Sequence, residues 1–179
     1  MLLVEALLLK VLAIPLLARI AWLDFTTQKI SNRDVLLLLC LGAGGLLLLS
    51  LQSGAWLEMG LSALAGLMLF AALFPFWALR KIGAGDVKLM AVVPFLIGHS
   101  DLIVFCGFLL IFTLVTALIV KRPLMLPQGV FRLYVQHLDR KRVVPFGVPI
   151  SLAVICTIAF HIYERLVLVG SSGILNQLN

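Results

Sequence analysis

The sequence is short of charge. Of its 179 residues only 12% are Asp, Glu, Lys or Arg, against about 25% in an average soluble domain. It also lacks paired cysteines. Cys40, Cys106 and Cys156 each stand alone in an apolar run, and no CxxC occurs. That excludes a paired-cysteine zinc or redox site and leaves the three as expected small core hydrophobes. No internal repeat and no low-complexity linker divides the chain. Together these absences exclude a soluble globular enzyme, a disordered tail and a disulfide-stapled secreted module.

In place of charge there is apolar sequence, 63% hydrophobic by residue type with a mean hydropathy of +1.17. This composition indicates an integral membrane protein. A bilayer-spanning helix takes about 20 apolar residues, so six spans would use most of the chain. Residues 1–179 therefore read as a single transmembrane domain. The apolar runs fall at about 2–23, 35–51, 56–79, 87–98, 101–120 and 146–169. Spanning segments must satisfy their backbone internally, and these runs do not alternate as barrel strands do. The expected fold is all-α with six transmembrane helices. The first run holds Glu5, Lys10, Pro15 and Arg19. Its charge pattern and the absence of an A-x-A site argue for a retained helix over a cleaved signal peptide.

The net charge of +6 records orientation better than it records a nucleic-acid partner. Eleven of the fourteen basic residues fall in 24–34, 80–88 and 121–145, and the alternate intervals 52–55, 99–100 and 170–179 hold none. Six spans put every basic interval on one side, which the positive-inside rule makes cytoplasmic, with both termini outside the cytoplasm. Arg19 and Arg165, near helix ends, are expected to snorkel. Lys10 faces the bundle interior or pairs with an acid. The interval 121–145 is a cytoplasmic loop. In it Phe131, Tyr134, Val135 and Leu138 form a helical stripe, which reads as an interfacial helix that docks on the membrane or gates substrate entry. Gly42, Gly44, Gly45, Ser62 and Gly66 read as helix-packing positions.

The fourth run is too short. Residues 87–98 cover about 18 Å as a helix, against a hydrocarbon core of about 30 Å. The preceding Gly83-Ala84-Gly85-Asp86 should then be sunk in the membrane or in a cleft open to the cytoplasm. Asp24, at the end of the first run, lies at a similar depth on the same side. Alone, Asp86 would read as a helix N-cap and Asp24 as a solvated juxtamembrane acid. Two carboxylates at matching depth permit more. Close together at low dielectric they do not ionise equally, so one can serve as base while the other keeps a proton. Such a pair can activate water against a peptide carbonyl and protonate the leaving amine. Gly83 and Gly85 leave room for a substrate backbone and permit φ > 0 at the turn.

These residues resemble the hallmarks of the type IV prepilin peptidases, aspartic peptidases of the cytoplasmic membrane. The family has an Asp after the first core helix, a basic-polar-Asn stretch, a later G-x-G-D-x-K and a P-[YF]-G-x-[PA] at the last helix. Here these read Asp24-Phe25-Thr26-Thr27-Gln28-Lys29-Ile30-Ser31-Asn32, then Gly83-Ala84-Gly85-Asp86-Val87-Lys88, then Pro145-Phe146-Gly147-Val148-Pro149. Lys29 and Ser31 stand where the family often has Arg and Pro.

The resemblance is to small, peptidase-only members such as those serving Tad/Flp-type pili. It implies Asp24 and Asp86 as the catalytic pair, with Asn32, Gly83, Gly85, Lys88, Pro145 and Gly147 in support. It implies a prepilin or pseudopilin substrate cut at the cytoplasmic face of the inner membrane, with no cofactor and no metal. Lys88 is two residues from Asp86 and so on a different helix face, either a membrane anchor or a charge for the site. Pro145 suits the first turn of the last helix, and Gly147 allows close helix approach. Presenilin-like proteases share Gly-x-Gly-Asp but need more spans, and lipoprotein signal peptidases have different motifs. The alternative is a non-catalytic membrane scaffold or transporter subunit whose aspartates form a proton relay or packing pair.

Overall fold

The structure, a computed structural model, describes residues 2–121 and 145–177. Its described residues form six helices: α1 (Leu2–Thr27), α2 (Asn32–Ser53), α3 (Trp56–Ala78), α4 (Ala84–Ile97), α5 (Leu102–Lys121) and α6 (Gly147–Gln177). They follow the six apolar runs closely. Four of them are long and apolar enough to cross a membrane: α2, α3, α5 and Gly147–Glu164 of α6. The other two differ in charge or length. Lys10, Arg19 and Asp24 interrupt α1, and α4 has only 14 residues. The stripe expected within 121–145 lies outside the described residues.

Local chemistry sets the helix ends. Ser31 is extended and caps α2, its hydroxyl accepting from the Arg33 amide at 3.3 Å, which satisfies an otherwise unpaired first-turn donor. Gly54, left-handed at φ 69, closes α2 through its amide to the Ser50 carbonyl. At the end of α3 the Lys81 amide reaches the Phe76 carbonyl and the Arg80 amide the Trp77 carbonyl, with Arg80 at φ 57. This is a Schellman closure carried by an arginine rather than the usual glycine.

The short α4 is the centre of the molecule. It packs on α2, α3 and α6, while α1 packs on α2 and α6, and α5 packs on α6. Leu89, Val93 and Leu96 of α4 belong to one buried cluster with Leu17 and Ile20 of α1, Leu38 of α2, and Val154 and Ile158 of α6. Small residues bring the backbones together. A methyl group at Gly42 would lie 2.8 Å from the Phe95 backbone, and one at Gly66 would lie 2.6 Å from the Ala91 carbonyl oxygen. The outward faces of α2, α3 and α5 expose Leu36, Leu57, Leu67, Ile103 and Leu110, far more apolar surface than a water-soluble monomer shows. Cys40 and Cys106 are also exposed and Cys156 is only half-buried. This corrects their expected place in the core: a lipid-facing position is as apolar as a buried one.

Candidate active site

Asp24 lies near the end of α1 and is 5% exposed. Just beyond it Gln28 turns left-handed at φ 54, its amide 3.0 Å from the Asp24 carbonyl oxygen. That conformation costs a non-glycine residue about 1 kcal/mol or more. It ends α1 and turns Lys29 and Ile30 toward α4, where Ile30 fits over Gly85. A methyl group at Gly85 would lie 2.8 Å from Ile30 Cβ.

Asp86 stands in the first turn of α4, but it is not the cap. Gly83 is the N-cap, with φ −68 and ψ 143, and makes no side-chain cap bond. Neither Gly83 nor Gly85 adopts positive φ. This corrects the expectation that the turn needs their freedom: both serve as space. A methyl group at Gly83 would lie 3.0 Å from Asp86 Oδ2.

Asp24 and Asp86 line one cleft of about 320 Å³, with Gln28, Lys29, Ile30 and the 83–85 segment as its other walls. The carboxylates are near enough for their charges to repel. Among the described residues neither forms an ion pair.

The third motif joins this cleft through the backbone. The Gly147 amide, at the start of α6, donates to Asp24 Oδ2 at 2.7 Å, and the Val148 amide also faces that carboxylate. Asp24 thus caps α6 from another helix and meets the positive end of its dipole. Only glycine fits at 147, because a methyl group there would lie 2.8 Å from Asp24 Cγ and Oδ2. Pro145 does not sit in the first turn of α6 as expected. The first turn bond runs from the Ile150 amide to the Phe146 carbonyl, so Pro145 is buried just ahead of the helix, in the segment that delivers Gly147.

Asn32 and Lys88 meet each other. Lys88 Nζ donates to Asn32 Oδ1 at 3.1 Å, tying the start of α4 to the start of α2. Arg19 keeps an exposed side chain, as its place near a helix end suggested, and also has a buried partner. It lies 3.3 Å from Oδ1 of Asp34, which is 2% exposed. Gln28, Ile30 and Phe146 stand at or beside the cleft without having been singled out in sequence. Phe146 had a signal, its place inside the third motif, whereas the positive φ of Gln28 has none. No group of three or more His, Cys, Asp or Glu side chains among the described residues is placed to hold a metal ion.

Residues 11–120 match the model of the type IV leader peptidase family. The chain belongs to that family. The matched stretch holds Asp24, Asn32, Gly83, Gly85, Asp86 and Lys88, and stops before Pro145 and Gly147. No curated protein and no solved structure matches the chain. Family membership implies a peptidase. With four helices able to cross a bilayer, this is a multi-pass membrane protein.

Proposed function

We propose that the chain removes the short leader of type IV prepilins or pseudopilins, of the Flp type, at the cytoplasmic face of the cytoplasmic membrane. Asp24 and Asp86 are its catalytic carboxylates. The observation that carries this reading is the cleft itself. Two acids from helices distant in sequence line it together, with no cation pairing either among the described residues. A structural pair would be expected to be neutralised. A pair that shares a proton can instead perform acid–base chemistry.

The ionised carboxylate takes a proton from water as the water oxygen attacks the scissile carbonyl. The protonated one gives its proton to the carbonyl oxygen. Collapse of the tetrahedral intermediate then breaks the C–N bond as a proton passes to the leaving amine. The hydrogen bond from Gly147 favours charge on Asp24, which suits it to the base and leaves Asp86 as the acid. A substrate with a cytoplasmic leader and a membrane-embedded apolar helix presents its scissile bond at this depth. That bond must be unwound to react, because a helix engages its carbonyls in backbone hydrogen bonds.

Co-expression with an Flp-type prepilin tests the reading through leader loss. Wild type is expected to process the substrate. Asp24→Asn and Asp86→Asn are each expected to stop processing while still inserting in the membrane. Normal processing by both variants would overturn the proposal in favour of a scaffold.

A further inference from the structure

Asp86 borders a second, different space. On one side is the polar cleft shared with Asp24. On the other is an almost wholly apolar pocket of about 180 Å³, walled by Leu73 of α3, Met90 of α4, Leu109 and Thr113 of α5, and Phe146 and Ile150 at the start of α6. Helix packing explains the pocket. Among the described residues the shell around α4 runs from α3 through α2, α1 and α6 to α5, and α3 and α5 share little or no contact. The described shell is open along that one side, and the pocket lies in the opening with Asp86 at its boundary. Phe146 joins the two spaces: its side chain lines the apolar pocket, and the amide of the next residue holds Asp24.

A peptide laid across Asp86 would thus have polar surroundings on one side and apolar ones on the other. We propose that the apolar pocket receives the first large apolar side chain on the membrane side of the scissile bond, the substrate helix entering sideways between α3 and α5. This rests on the peptidase reading above and adds to it a subsite and an entry path. A peptide that changes from polar to apolar at the cut bond satisfies both spaces at once. Burial of one side chain in such a pocket discriminates by about 10- to 200-fold, and an apolar wall open toward lipid needs no dehydration to receive a lipid-embedded helix.

The test compares two prepilin substrates, one with Phe and one with Ala immediately after the scissile bond. Wild type is expected to prefer Phe in kcat/KM. Leu109→Trp, which fills the pocket, is expected to lower the Phe-to-Ala ratio about tenfold or more, and Thr113→Phe to lower it in the same direction. As a measurement independent of those variants, a photo-crosslinking amino acid at Leu73 in an Asp86→Asn background should capture the uncleaved substrate helix, whereas the same probe at Leu36 on α2 should not. An unchanged ratio in the Trp variant, equal loss on both substrates, or equal capture at Leu36 would overturn the subsite while leaving the peptidase reading standing. Failure of wild type to cut either substrate would bring down both.

Discussion

Asp24 with Asp86 at one end of the helix bundle, and Glu58 with Asp101 at the other, stand in opposite electrostatic settings. The first two line a shared cleft with Gln28, Lys29, Ile30 and the 83–85 segment, and the Gly147 amide donates to Asp24. At the other end Glu58 and Asp101 each have a histidine. Glu58 Oε2 lies 3.0 Å from His99 Nδ1, and Asp101 Oδ2 lies 3.0 Å from His161 Nδ1. The His99 amide also donates to Ser62 Oγ, which fastens the end of α4 to α3. These two acids tie helices together, as Asp34 does through Arg19 at the first end. Asp24 and Asp86 form no ion pair among the described residues. The difference teaches that, among the described residues, helix packing and backbone contacts rather than a neutralising cation bring Asp24 and Asp86 to one cleft.

The sharpest way to break the comparison is to neutralise acids at each end in turn. Removing either Asp24 or Asp86 is expected to lower leader removal by about 100-fold or more, the scale of a lost acid–base group. Glu58→Gln and Asp101→Asn should leave it within about twofold, since neither acid borders the cleft. Comparable losses at both ends, in a processing assay normalised to inserted protein, would erase the distinction. Next in size is Gly147→Ala. The added methyl displaces Asp24, and misplacement of a reacting group by about 1 Å costs on the order of 100-fold. Processing is therefore expected to fall at least tenfold with little change in thermal unfolding in detergent. Smaller in its effect on chemistry is Gly66→Ala, which pushes α3 from α4. It should destabilise the bundle by about 1–3 kcal/mol, read as a lowered Tm, and reduce processing only as folded protein is lost.

Much of this molecule was legible in its sequence, and the limits are physical. The helices follow the apolar runs because a bilayer gives the backbone few other solutions. Asp24 and Asp86 stand out because acids are costly beside an apolar run. Inside and outside were harder to separate. In a membrane both are apolar, so Cys40 and Cys106 read as core when they face outward. Contacts between distant segments left no local signal either. Nothing near Gly147 says that its amide will cap a carboxylate on the first helix, and nothing near Arg19 says that it will find Asp34. The glycines of Gly83-Ala84-Gly85 invited an argument from backbone freedom, whereas their φ values are ordinary and the room they leave for Asp86 and Ile30 is what matters.

The central claim is that Asp24 and Asp86 meet at one end of the bundle. In a chain with Cys40, Cys106 and Cys156 replaced by serine, Asp24→Cys and Asp86→Cys can be combined and treated in membranes with a short bifunctional thiol cross-linker. The account predicts efficient cross-linking of the 24/86 pair and none for Asp24→Cys with Glu58→Cys. Cross-linking of 24 to 58, with none of 24 to 86, would contradict it.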